Sequence, residues 1–304
     1  MSLLGHVKQF IEEPPPDLAF EISEGGIAWA RPSNPQPAMR PVESGTFAIS
    51  PLHDNVLGPE AMTAAVAEIA ATYGARKRRT ATLILPDYCG RIAVLDFDAF
   101  PGAHEEQLSL VRFRMKKSVP FDVEAAAISF FPQPRPGNAK KCDVVVALVA
   151  LEIVARYEAP FRMCGIDTGL ITTSTLAAMD LLKGVTDGVM AKLSGRVLTL
   201  SVMSGGSLRM LRCVELPELT AEEVAGVLHP TFAYMEDEMK SQAKRLLLCG
   251  FGALAEEIEA ISSQELGLTV EPVRSRFGAP GVGNAGLFGY LESVAHGARV
   301  GSAL

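Results

Sequence analysis

Gly281-Val282-Gly283-Asn284-Ala285-Gly286 has the G-x-G-x-x-G spacing of a dinucleotide-binding loop. Such a loop works only inside a complete strand–loop–helix–strand unit. Eighteen residues follow Gly286 and hold no second strand, so the segment reads as a loop entering a last helix. Asp167-Thr168-Gly169 has the letters of an acidic protease triad. That chemistry needs two carboxylates sharing a proton, and the sequence has one such triad. It follows a helical stretch and reads as a connecting turn. His6, His53, His104, His229 and His296 are far apart and lack metal-ligand spacing. No G-x-S-x-G elbow and no G-x-x-x-x-G-K-[ST] loop occurs. Arg76-Lys77-Arg78-Arg79 reads as a solvated basic turn ahead of a strand.

The composition narrows the classes further. The 304 residues are 48% hydrophobic and 21% charged, enough apolar surface for a large core. Basic residues number 28 against 35 acidic, a net charge of −7, which argues against a nucleic-acid binder. Cys89, Cys142, Cys164, Cys213 and Cys249 form no C-x-x-C pair, as expected of a reducing compartment. No stretch reaches the roughly 20 apolar residues of a membrane span. A signal peptide is not evident, so a soluble cytoplasmic protein is expected.

Periodicity supplies the elements. Leu3, Leu4, Val7, Phe10 and Ile11 form an apolar helical stripe over residues 1–13, stopped by Pro14-Pro15-Pro16. Residues 17–30 read as strand, turn, strand around Glu24-Gly25-Gly26. A Pro/Gly-rich loop to Pro59 follows, with one short strand at residues 46–50. Helices are expected over 59–73, 104–117, 153–163, 176–182, 220–244, 253–266 and 287–296. Strands are expected over 80–85, 92–97, 127–131, 144–151, 245–249 and 268–272. Val144 to Leu151 reads as a buried strand, and residues 132–141 as a loop. A hairpin is expected from Val197–Val202 and Leu208–Val214 around Ser204-Gly205-Gly206-Ser207. The class is α/β with mixed sheets.

The order of these elements resembles the actin-like (ribonuclease H-like) ATPase fold, in which two hairpins contact nucleotide phosphates and a later Gly-rich turn contacts adenosine. Within that superfamily the chain resembles the PilM family of type IV pilus assembly proteins, related to FtsA. Leu83-Ile84-Leu85-Pro86, then Arg112 to Phe121 with its closing Val119-Pro120-Phe121, resemble family segments, as does the acidic run 122–129. So do Val144–Ala155 with Cys164-Gly165-Ile166, the turn and helix at Leu246–Leu266, and Gly286–Leu291. The resemblance implies two lobes of duplicated mixed sheets plus an inserted FtsA-like subdomain. The expected division is 1–16, an N-terminal segment; 17–87, first lobe; 88–163, insertion; 164–190, return to the first lobe; 191–275, second lobe; and 276–304, a returning helix.

The departures bear on chemistry. The family's first phosphate hairpin reads roughly D-I-G-S, and here it is Glu21-Ile22-Ser23-Glu24. Glu24 adds a carboxylate where phosphate would approach. In the second hairpin Ser201-Val202-Met203 aligns with D-x-G, so the second acidic group is missing; Asp187-Gly188 is the alternative remnant. Phe251 intrudes on the adenosine turn Cys249-Gly250-Phe251-Gly252. The resemblance therefore implies a cytoplasmic scaffold at the inner-membrane face, without ATP hydrolysis and with no catalytic residue or resident metal. It would bind the tail of a PilN-like membrane protein and other platform components, of a pilus or a type II secretion system. Val119, Pro120 and Phe121 are the partner-binding candidates. If ATP and Mg²⁺ are retained, Glu21, Ser23, Gly25, Gly26, Ser201, Gly205, Gly206, Gly250 and Gly252 would hold them. The alternative is an active ATPase or sugar kinase of the same fold.

Overall fold

A computed structural model describes residues 16–50, 54–74, 78–135, 138–240 and 244–302. The expected helix over 1–13, and Arg76 and Lys77 of the basic run, lie outside the described residues. The strands are β1 (Leu18–Ser23), β2 (Gly26–Arg31), β3 (Asn34–Pro41), β4 (Arg79–Leu85), β5 (Gly90–Phe97), β6 (Ala126–Arg135), β7 (Asn138–Ala150), β8 (Ile166–Thr173), β9 (Gly188–Ser194), β10 (Val197–Ser204), β11 (Ser207–Glu215), β12 (Arg245–Cys249) and β13 (Thr269–Pro272). The helices are α1 (Pro59–Ala71), α2 (His104–Met115), α3 (Leu151–Met163), α4 (Ser174–Ala178), α5 (Ala221–Asp237), α6 (Ala255–Glu265) and α7 (Ala285–Ser302).

Two five-stranded sheets repeat one topology. The first runs β3-β2-β1-β4-β8 and the second β11-β10-β9-β12-β13. In each, three antiparallel strands precede two parallel ones. One helix, α1 or α5, leads into the fourth strand, and one, α3 or α6, into the fifth. The duplicated mixed-sheet architecture is thus present. A third, antiparallel sheet, β5-β7-β6, lies between β4 and β8 in the chain, with α2 over one face.

Local chemistry explains the elements. All six β1 residues are buried, as a central strand requires. Pro59 opens α1, and Met62, Ala65, Val66 and Ile69 form its buried face. Arg79 closes α1 from outside: its guanidinium donates to the carbonyls of Ala70 and Tyr73 at 3.0 and 2.9 Å. That residue of the basic run is structural, while Arg78 pairs with Asp167 at the surface. Thr220 caps α5, its Oγ1 accepting from the Glu223 N–H at 3.3 Å. The helix runs on through Pro230 and ends at Asp237, short of the expected Lys244.

Several expectations change. The loop expected after Pro32 contains β3, whose Pro35, Pro37 and Pro41 are tolerated because it is an edge strand. Asp167-Thr168-Gly169 lies in strand β8, not in a turn. The expected loop over 132–141 is the far end of the β6–β7 hairpin. In β7 Asp143 is buried, as are Val144, Val146, Leu148 and Ala150 on one face, while Val145, Ala147 and Val149 on the other face are half-buried. Helix α3 packs its Ile153, Tyr157 and Phe161 into the first sheet's core rather than with the three-stranded sheet.

Helix α7 returns to the first sheet and lies on α4. Gly286 and Gly289 allow this approach: a Cβ on Gly289 would sit 2.1 Å from the Ala177 carbonyl oxygen, and one on Gly286 2.8 Å from that of Ser174. Backbone atoms cannot yield as a flexible side chain would. Gly289→Val is expected to cost at least about 1–3 kcal/mol, read as a lowered urea midpoint.

Candidate functional site

The β1–β2 and β9–β10 hairpins face each other between the lobes. Each closes on a two-residue turn: Glu24-Gly25 between paired Ser23 and Gly26, and Gly195-Arg196 between paired Ser194 and Val197. Counting back from the closing pair, Glu21 and Lys192 hold equivalent places, two residues ahead of Ser23 and Ser194. Both are buried, 1% and 2% exposed.

One hydroxyl joins them. Ser174 Oγ, at the start of α4, donates to Glu21 Oε1 at 2.5 Å and accepts from Lys192 Nζ at 2.9 Å. Glu21 Oε2 accepts from the Leu287 N–H of α7 at 2.6 Å. Asp87, in the helical turn after β4, sits 2.8 Å from Lys192 Nζ through its Oδ2. That oxygen also accepts from Thr199 Oγ1 at 2.9 Å and Thr175 Oγ1 at 2.5 Å, and Oδ1 accepts from the Thr175 N–H at 2.7 Å. First-lobe Glu21, Asp87, Ser174 and Thr175 thus close on second-lobe Lys192 and Thr199.

Burial and charge act in opposite directions here. Burial pushes Asp87 upward, but the Lys192 charge and the hydroxyl and amide donors outweigh it and hold the carboxyl below its usual range. Burial pulls Lys192 downward, but Asp87 and then Glu21 more than offset it, and the amine is raised. For Glu21 burial prevails over Lys192, and its carboxyl is raised.

The turns touch as well. Glu24 Oε2 accepts from the Arg196 N–H at 3.3 Å. Gly195 has φ +56°, and a Cβ there would fall 2.0 Å from that carboxylate oxygen. Ser23 Oγ donates to the Gly26 carbonyl, and Gly283 packs where a Cβ would meet Ser23 Oγ at 2.4 Å. Two glycines of the G-x-G-x-x-G segment, Gly283 in the loop entering α7 and Gly286 in its first turn, therefore serve close packing.

The structure brings some of the sequence-selected residues together and separates others. Glu21, Ser23, Gly25 and Gly26 form the first hairpin's tip. The turn opposite them is Gly195-Arg196, one hairpin earlier than expected. Ser201 is buried within β10, and Gly205-Gly206 turns between β10 and β11, where Asp187 Oδ1 accepts from the Gly205 N–H at 3.0 Å. Asp187 is thus engaged at that other turn. Gly250, at φ +81°, abuts the Leu193 carbonyl of β9, and nothing crowds Gly252. Phe251 does not intrude on the turn: it is buried in the second lobe's core. Val119 packs in the three-stranded sheet's core, Phe121 against that core and the first lobe's, and Pro120 is exposed. Sequence reasoning missed Asp87, Ser174, Thr175, Lys192, Gly195 and Thr199. The signal was a lone charge, Lys192, inside the apolar run 189–193.

Asp87→Asn leaves Lys192 without its direct partner and is expected to cost about 3–5 kcal/mol. Glu21→Gln is expected to cost far less, because Glu21 bears the larger uncompensated burial. Asp87 is depressed, so its contribution is full above the unfolded carboxylate range and lost as pH falls through its folded value. Glu21 is raised, so its charge costs stability increasingly as pH rises from the unfolded range through its folded value. Urea unfolding of both variants across pH 3 to 8 checks the signs: Asp87→Asn flattens the acid loss, and Glu21→Gln removes the opposing slope.

No protein-family model and no curated protein matches the chain by sequence. Solved structures do match in three dimensions. The PilM–PilN type IV pilus biogenesis complex is similar at TM-score 0.72 and 17% identity, over 93% of this chain and 98% of that one. The cytoplasmic domain of EpsL, an inner membrane component of the Vibrio cholerae type II secretion system, is similar at TM-score 0.50 and 13% identity, over 92% and 94%. A Bacteroides thetaiotaomicron protein with an actin-like ATPase fold is similar at TM-score 0.51 and 12% identity, over 86% and 92%. The chain has the actin-like ATPase fold, and its structure resembles that of PilM over nearly its whole length.

Proposed function

We propose that this chain is a cytoplasmic scaffold of a type IV pilus or type II secretion assembly platform. It docks at the inner-membrane face on the cytoplasmic tail of a PilN-like membrane protein and does not hydrolyse ATP. The similarity to a PilM–PilN complex and to the EpsL cytoplasmic domain supports the platform role. Among the described residues no helix is long and apolar enough to cross a membrane, which fits attachment through a partner.

One observation carries the reading without hydrolysis: Lys192 stands where the second hairpin would need a carboxylate. A water-held Mg²⁺ between the hairpins calls for acidic groups on both. Here one hairpin offers Glu21 and the other a buried ammonium, already paired with Asp87. The competing ATPase or sugar-kinase reading needs that second acid, and fold alone does not supply activity.

For the tail, the geometry favours the space between the first lobe and the insertion. A cavity of about 420 Å³ there is lined by Ala127, Ser129 and Ala147 of the insertion and by Leu170, Leu176 and Tyr290. Strands β6 and β8 border it, and each is the edge of its sheet. Open edges beside apolar pockets suit an extended peptide that pairs along its backbone. Val119, Pro120 and Phe121 are not among the lining residues.

Ala147→Arg places a charge in this cavity from a half-exposed position. It is expected to weaken binding of a PilN-like tail peptide by at least about tenfold while leaving the thermal midpoint nearly unchanged. Calorimetric titration of both proteins with the peptide checks this. No binding by the unaltered chain would contradict the scaffold reading, and equal binding by both would move the groove elsewhere.

A further inference from the structure

We propose that Lys192 is an internal tether that holds the two lobes of this chain permanently closed, in the place where a nucleotide-binding relative would use a bound ligand. This inference rests on the reading above that the chain does not hydrolyse ATP, and extends it to an interlobe site that takes no nucleotide.

Contacts at the base, at the mouth and beside the network cross between the lobes, and Val197 and Cys213 of the second lobe pack with the first lobe's core. At the base, Lys192 of β9 reaches Asp87 directly and Glu21 through Ser174. At the mouth, the hairpin turns meet through Glu24 and the Arg196 N–H. Beside the network, Ala178 and Leu182 of the first lobe pack with Met190, Leu247, Cys249 and Val273 of the second, together with Ala285 of α7. The insertion adds a brace from outside. Gln133 donates through Nε2 to the Leu208 carbonyl and accepts through Oε1 from the Leu208 N–H, both at 2.9 Å. Asp143 pairs with Arg209 of β11. At the base, opening or the loss of one member would strand buried charges of both signs, so the base sets the closed state.

The apolar contact beside Lys192 supplies a reporter. Cys249 faces the opposite lobe and is 2% exposed. Cys89 borders the interface as well, because Val197 and Cys213 of the second lobe pack with its cluster. Met62, Val66 and Ile69 are the buried face of α1, so hydrogen exchange of the α1 amides reports unfolding of the first lobe. Labelling by a small thiol reagent, resolved by residue with mass spectrometry and followed beside that exchange, distinguishes lobe opening from unfolding. In Lys192→Met, which keeps side-chain length and removes the charge, Cys249 is expected to label roughly a hundredfold faster than in the unaltered chain. The α1 amides stay protected. Equal protection of Cys249 in both proteins overturns the tether. Simultaneous loss of α1 protection and exposure of Cys249 in the variant also overturns it, by making Lys192 part of the general fold rather than a lobe contact. In the unaltered chain, Mg·ATP is expected to leave both rates unchanged. If Mg·ATP slows Cys249 labelling, the nucleotide-free reading fails, and the tether with it.

Discussion

A lysine and two carboxylates, removed from water between two lobes, set the terms for the rest of this molecule. Desolvating such charges is expensive unless each finds a partner of the right sign and enough hydrogen-bond donors. The surrounding structure meets that demand. Strand β1 delivers Glu21, β9 delivers Lys192, the turn after β4 delivers Asp87, and α4 places Ser174 and Thr175 between them. Helix α7 must approach closely enough for its Leu287 N–H to reach Glu21, and the glycines at 286 and 289 permit that approach.

The duplicated topology explains how this place became a polar centre. Two sheets of equal strand order bring equivalent hairpins face to face, so residues at equivalent positions on opposite lobes become neighbours. Two carboxylates there would repel and call for a cation between them. A carboxylate and an ammonium need no ion, and here a serine hydroxyl bridges them. Glu21, Ser174 and Lys192 make this place a self-satisfied contact.

Much of the architecture was legible in the sequence. Strand β12 is found at its expected bounds, the first hairpin turns where Glu24-Gly25-Gly26 placed it, the α/β class follows from element order, and the lobed design from the family resemblance. What was hidden has physical causes. Prolines disguised β3, because an edge strand needs fewer backbone donors than an inner one. Strand β9 escaped notice, and the second hairpin was consequently assigned to β10–β11. Pairing register decides which hairpin is equivalent to β1–β2, and register is a long-range property. Glu21 was singled out from its place in the first hairpin. The other members of its network, Asp87, Ser174 and Lys192, are scattered along the chain and meet only through the crossovers.

In the reading proposed here, the interlobe site is complete without a ligand. The decisive measurement is calorimetric titration of the full chain with Mg·ATP, with phosphate release followed in the same sample. No heat of binding and no phosphate release are expected at millimolar nucleotide. Micromolar binding, about −8 kcal/mol, would show that the lobes part to admit a nucleotide and that the Lys192 network yields to it.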